Sequence, residues 1–229
     1  MTDLDLGALY GEQLAAIEKA QERLLDRCGM IMRANSPIYM PDFYVLGALK
    51  RGMALCAGFR ELFKQNNYTC AATLLRLQVD TAARLYALEY VADKGEFTSQ
   101  LIAGKKFSRL KDRDGNLLKD FWIIKKLAQI APWVTGVYER TSDFVHLTGS
   151  HFFSTISNLD EEQSGPERTF QIVIGPGEPP QKPHVYEEIL DAFLEASRTV
   201  ERVALMYLED RERGIASLPS NWQDLSRSR

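Results

Sequence analysis

Apolar residues recur at three- and four-residue steps along most of this chain, the spacing that places them on one face of an α-helix. From residue 6 to 33, Leu14, Ile17, Leu24, Cys28 and Ile31 follow that spacing, with Glu, Lys and Arg between them. Two prolines in "RANSPIYMPD" break the pattern, and Asp42 stands where an N-cap would open the next helix. That helix, "FYVLGALKRGMALCAGFRELFK", is rich in Gly and Ala, which suits close helix–helix approach. After "QNN", a third helix is expected from about Thr69, "TCAATLLRLQVDTAARLYALEYVAD". It is apolar or small at almost every position, as a helix buried on most sides should be. Lys94-Gly95 is expected to end it.

A weaker segment covers residues 97 to 106, and Asp114-Gly115 between short apolar runs predicts a tight turn or small hairpin. The turn superficially resembles a calcium loop, but the Asp spacing and the closing Glu are wrong for one. A helix is expected near 118 to 130, and another after Pro132, which suits a first helical turn. Beyond Gly149 the character changes: "HFFSTIS" and "RTFQIVIG" are aromatic and β-branched, predicting a two-stranded hairpin with a long tip. "GPGEPPQKP" lacks the Lys-Ser/Thr ending of a phosphate-binding loop. A long amphipathic helix follows from about His184 to Arg211, then a polar tail anchored at most by Trp222. The predicted fold is mainly α, a helical bundle with a small β-hairpin embellishment, in a single domain over 1–229. Within it, 1–41 form an N-terminal helix and linker, 42–157 the helical core, 158–183 the hairpin and loop, and 184–229 the last helix and tail.

Composition fits that picture: 45% hydrophobic and 26% charged residues are ordinary for a folded chain. A net charge of -3 provides no global field toward nucleic acid, so any such site must be a local patch. Cys28, Cys56 and Cys70 are widely spaced, form no metal motif and cannot all pair within one chain, which predicts buried, reduced thiols in a cytoplasmic protein. The acidic N-terminus lacks an apolar signal core, and no stretch approaches a membrane span.

Two polar stripes interrupt the helical pattern. In "YERTSDFVHLTGSHF", Arg140, Asp143 and His146 lie three residues apart and share one helix face, opposite Val134, Val137, Tyr138, Thr141 and Val145. A carboxylate near a histidine orients the ring and favours its charged form. Ser142, four residues before His146, is in reach of it, although no sharp elbow motif marks it as a nucleophile. The plain alternative is a solvated helix face. In the third helix, Arg76, Asp80 and Arg84 stand at four-residue steps in apolar surroundings. Either Asp80 pairs with both arginines as an internal brace, or the stripe forms the floor of a cationic pocket for a phosphate or carboxylate. His146 and His151 have no further ligand nearby, so neither a metal nor a cofactor is expected.

"RTSDFVH" (140–146) fits the Arg-x(4–6)-His pattern of the HEPN superfamily of helical domains, common in prokaryotic toxin–antitoxin and phage-defence systems. "LLRLQVDTAARLYALEY" (74–90) followed by "YERTSDFVH" (138–146) also resembles a HEPN-related group of prokaryotic proteins, over roughly residues 42 to 157. The position after the motif arginine, usually Asn, Asp or His, is Thr141. The resemblance implies a metal-independent endoribonuclease acting as a homodimer, two motifs facing each other on RNA. His146 would then move a proton of the ribose 2′-hydroxyl or the leaving oxygen, Arg140 would stabilise phosphate charge, and Asp143 would orient them. Many HEPN-like domains are instead non-catalytic. In that alternative Arg76, Asp80 and Arg84, with Tyr138 and Ser142, bind a nucleotide, an anion or a protein partner such as an antitoxin.

Overall fold

The structure, a computed structural model, describes residues 5–33, 37–145, 156–157, 171–172, 174 and 178–213. Its helices are α1 (Leu6–Leu9), α2 (Gly11–Arg33), α3 (Met40–Lys64), α4 (Tyr68–Tyr86), α5 (Lys94–Ile102), α6 (Asp120–Leu127), α7 (Val134–Val145) and α8 (Pro183–Glu212). Single 3₁₀ turns occupy Ala87–Glu89 and Phe107–Arg109. The mainly helical bundle expected from the sequence is the architecture found.

Each long helix buries the residues its spacing selects. α2 turns Leu14, Ile17, Ala20, Leu24 and Ile31 inward, and α8 buries Ile189, Phe193, Val200, Val203 and Tyr207. Burial of each large apolar side chain stabilises the fold by about 1.5–3 kcal/mol. α3 packs between α2 and α4, and α8 closes the ring by packing on both α2 and α4. α4 also carries α6 and α7, so it is covered from four directions, which explains its nearly continuous apolar text. At the crossing of the long helices stands Gly52. A Cβ there would meet Leu24 at 3.1 Å, with Gln78 and Val200 at 3.6 Å, so any larger residue would make the Leu24 side chain shift by a few tenths of an ångström. Two turns further along α3, Phe59 stacks on Phe193 of α8 at 3.9 Å between centroids.

Asp42 is the third residue of α3, not its N-cap: its carboxylate accepts the Tyr39 N–H at 2.7 Å from inside the first turn. The same fully buried carboxylate takes the Tyr207 hydroxyl at 2.7 Å and Arg211 at 2.9 and 3.2 Å, tying α3 to α8. Lys94 and Gly95 open α5 instead of ending α4, because Asp93 accepts the Glu96 N–H and caps a new helix. Pro132 precedes α7 by two residues, and α6 is shorter than expected at both ends. Of the three thiols expected to be buried, Cys70 is exposed and Cys28 half-buried, whereas Cys56 lies in the core.

The turn at Asp114-Gly115 forms as expected. Gly115 adopts φ +85°, Lys111 bridges Leu117, and the Leu118 N–H bonds to the Leu110 carbonyl at 2.9 Å. Asp112 fastens it by accepting from the backbone of Asp114 and Asn116 and from the Asn116 side chain. The hairpin expected after residue 150 is not seen at its expected length among the described residues. Of it, Ile156–Ser157 and Gln171–Ile172 pair antiparallel, and the other residues on which the two strands were expected, apart from the exposed Ile174, lie outside the described residues. No helix among the described residues is long and apolar enough to cross a membrane.

Candidate functional site

α7 presents its polar stripe to solvent, as the pattern requires. Val134, Val137 and Thr141 are buried, while Glu139, Arg140 and Asp143 are exposed. Val145, expected on the apolar side, is 47% exposed, and Phe144 turns inward in its place against Tyr68. Arg140 stands 3.6 Å from Glu188 of α8 with 70% of its side chain exposed, a solvent-screened pair of little energetic weight. The Ser142 hydroxyl donates to the Tyr138 carbonyl one turn back at 2.7 Å. His146 and His151 lie outside the described residues. The described part of α7 therefore gathers Arg140 and Asp143 on one open face, and Arg140 also lines a small cavity of about 160 Å³ with Tyr68, Phe144 and Glu188.

The stripe on α4 divides. Arg76 lies against α7, its guanidinium carbon 3.2 Å from the centroid of the Tyr138 ring. Its Nε is buried without a hydrogen-bond partner. Facing the ring offsets part of that desolvation, since a partly desolvated cation–π contact contributes about 1–2 kcal/mol. Asp80 and Arg84 turn the other way. Arg84 Nε donates to Asp80 Oδ1 at 2.7 Å, and Arg84 Nη2 reaches Asp120 of α6 at 3.2 Å. The brace in which Asp80 joins Arg76 to Arg84 is not what forms; the second arginine on Asp80 is Arg51 of α3, at 3.6 Å. Burial works against the Arg84 charge, but the Asp80 hydrogen bond and the carboxylates of Asp80 and Asp120 hold its pKa above the ordinary value.

Beside this cluster, α3, α4 and α5 border a cavity of about 420 Å³ that is open to solvent on one side. Arg51 and Arg84 line one part of it, and Phe43, Ala48, Ile102 and Phe107 line much of the rest. Arg84 also covers the Phe107 ring, its guanidinium carbon 4.8 Å from the centroid. Behind the wall, Phe97 packs edge-on against both Tyr44 and Phe107, which fixes the rings in place. No acidic residue lines the cavity. It is therefore an apolar chamber with guanidinium groups as its charged features.

Arg51 and the aromatic wall were not among the residues singled out in the sequence. A signal existed: Phe43, Gly47 and Arg51 stand at four-residue steps on α3, an aromatic–small–basic stripe. What the stripe faces depends on how α3 lies against α4 and α5, which helical period does not encode. Among the described residues no group of three His, Cys, Asp or Glu is placed to hold a metal ion. Comparison with protein-family models, curated proteins and solved structures gave no match.

Proposed function

We propose that the chain is a HEPN-like helical module that binds an anionic ligand at the arginines of α3 and α4 without cleaving it. The observation that carries this reading is the convergence of Arg51 and Arg84 on one walled cavity that no acidic residue lines. Arginine forks are suited to carboxylate and phosphate groups, and partial exclusion of water strengthens such contacts. On this reading the protein works in the reducing cytoplasm, where Cys28, Cys56 and Cys70 stay free thiols.

The endoribonuclease reading stands second, on one observation. Arg140 and Asp143 share an exposed face of α7, which a composite site formed by two copies around RNA would need. In that case the protein is a homodimer, or is held inactive by an antitoxin-like protein partner, and His146 and Arg140 carry the chemistry. One experiment separates the two. Purified wild-type protein and His146→Ala are incubated in EDTA with a labelled pool of structured RNA, and anions are screened in parallel by thermal denaturation. Intact RNA, together with anion-induced stabilisation that Arg51→Ala abolishes, is the expected result. Cleavage by the wild type alone would replace the binding reading with the catalytic one.

A further inference from the structure

We infer that the cavity between α3, α4 and α5 binds a small carboxylate with an apolar body, of the size and character of a medium-chain acyl acid. This rests on the anion-binding reading and names its ligand class. The volume, about 420 Å³, falls within the range of small-ligand sites, roughly 300–1,000 Å³. Its polar wall groups are already used internally. The Tyr44 hydroxyl donates to the Arg84 carbonyl at 2.9 Å, Thr81 to the Leu77 carbonyl at 2.8 Å, and Thr98 to the Lys94 carbonyl at 2.9 Å. The remaining charged donors that line the cavity are the guanidinium groups of Arg51 and Arg84.

The two kinds of wall constrain the ligand jointly. A bare inorganic anion would engage the arginines and leave apolar wall in water; Phe43 and Ile102 are already 55% and 56% exposed there. A neutral apolar molecule would cover that wall and leave Arg51 with only its 3.6 Å approach to Asp80. A molecule with one carboxylate and a short apolar body satisfies both. Arg51 is the group positioned to change partner. Its 3.6 Å approach to Asp80 is too long for a hydrogen bond, and 44% of its side chain is exposed. Arg84, anchored by the 2.7 Å bond to Asp80, keeps its orientation while the ligand enters. Gly47 leaves the space open, since a Cβ at that position would meet nothing within 4 Å.

The test uses the full chain and octanoate as the probe. Octan-1-ol supplies the same body without charge, and sulfate and inorganic phosphate supply charge without the body. Octanoate at tenfold excess over its Kd is expected to raise Tm by about 3–6 °C, with no comparable shift from octan-1-ol or sulfate. Arg51→Ala removes the charge, and Gly47→Leu fills the chamber from a helical position where leucine is a better helix former than glycine. Both should fold, by circular dichroism and unliganded Tm, and both should lose the octanoate shift. A shift that persists in both variants, or one that octan-1-ol reproduces, overturns the assignment. Stabilisation by phosphate but not octanoate, lost in Arg51→Ala, would overturn the ligand class and leave the anion reading standing. Absence of any Arg51-dependent stabilisation would overturn both.

Discussion

Two aspartates on neighbouring long helices face the same problem and resolve it differently. Asp42 on α3 is fully buried and held by the Tyr207 hydroxyl, two nitrogens of Arg211 and the Tyr39 N–H. Asp80 on α4 is 16% exposed, with one short bond to Arg84 and a long approach from Arg51. The first cluster is closed: each carboxylate oxygen has charged and neutral donors, and Arg211 is only 4% exposed. The second is open on the side of the cavity. A closed ion pair locks helices together, whereas an open one keeps donors in reserve for a ligand. The pair buried more completely is thus the structural one, and the half-satisfied pair is the functional candidate.

Breaking the closed cluster should have the largest effect. Asp42→Ala leaves Arg211 buried without its counter-charge, and the expected loss is about 3–5 kcal/mol, measured by urea denaturation. Tyr207→Phe removes one donor to the same carboxylate, and a loss of about 1.5–3 kcal/mol is expected from a hydrogen bond to a charged group. Burial and the neighbouring Asp42 both raise the Tyr207 pKa, so its hydroxyl remains a donor and this contribution should not fade in mildly alkaline buffer. Equal stability of Tyr207→Phe and wild type would show that the Asp42 cluster is less closed than its geometry.

The open cluster should respond in the opposite sense where binding is measured. Asp80→Ala is expected to cost about 1 kcal/mol or less, since Arg84 keeps Asp120 and both arginines reach solvent. It also frees Arg51 and the Nε of Arg84 at the cavity, so octanoate affinity in calorimetry should rise. Weaker binding in Asp80→Ala would mean that Asp80 positions the arginines more than it competes for them.

The smallest effect belongs to a carboxylate, Asp112, whose hydrogen-bond donors are all neutral and which Lys126 favours from a distance. Burial would raise the Asp112 pKa, but the Asn116 side chain and the backbone N–H groups of Asn116 and Asp114 outweigh it and hold the carboxyl below its ordinary value. Its folded pKa lies below the unfolded one, so its contribution is full above about pH 4 and fades as pH falls through the folded value. Asp112→Asn should therefore lower stability modestly at neutral pH and flatten the acid limb of the stability–pH profile, the difference from wild type fading as pH falls.

Much of this molecule was legible in its sequence. The spacing of Leu14, Ile17 and Leu24, and of Ile189, Phe193 and Val200, determined where helices run and which faces they bury, because helical period is a local property. Asp114-Gly115 determined its turn for the same reason, since glycine there accepts a positive φ without strain. The exposed placement of Arg140 and Asp143 also followed from period alone. Boundaries set by competition between neighbours were less legible. Lys94-Gly95 reads as a stop until Asp93 is seen to cap a new helix, and Asp42 reads as a cap until Tyr207 and Arg211 arrive from α8.

Only the tertiary structure decided which charges meet. Arg76, Asp80 and Arg84 look like one stripe along the sequence, yet α7 draws Arg76 onto Tyr138 while α3 and α6 bring Arg51 and Asp120 to the other two. The cavity arises in the same way, from three helices whose mutual orientation no local period specifies. Sequence fixes the face on which a side chain leaves its helix. The partner it finds depends on packing between elements far apart in the chain, and in this protein that packing separates a structural brace from a candidate binding site.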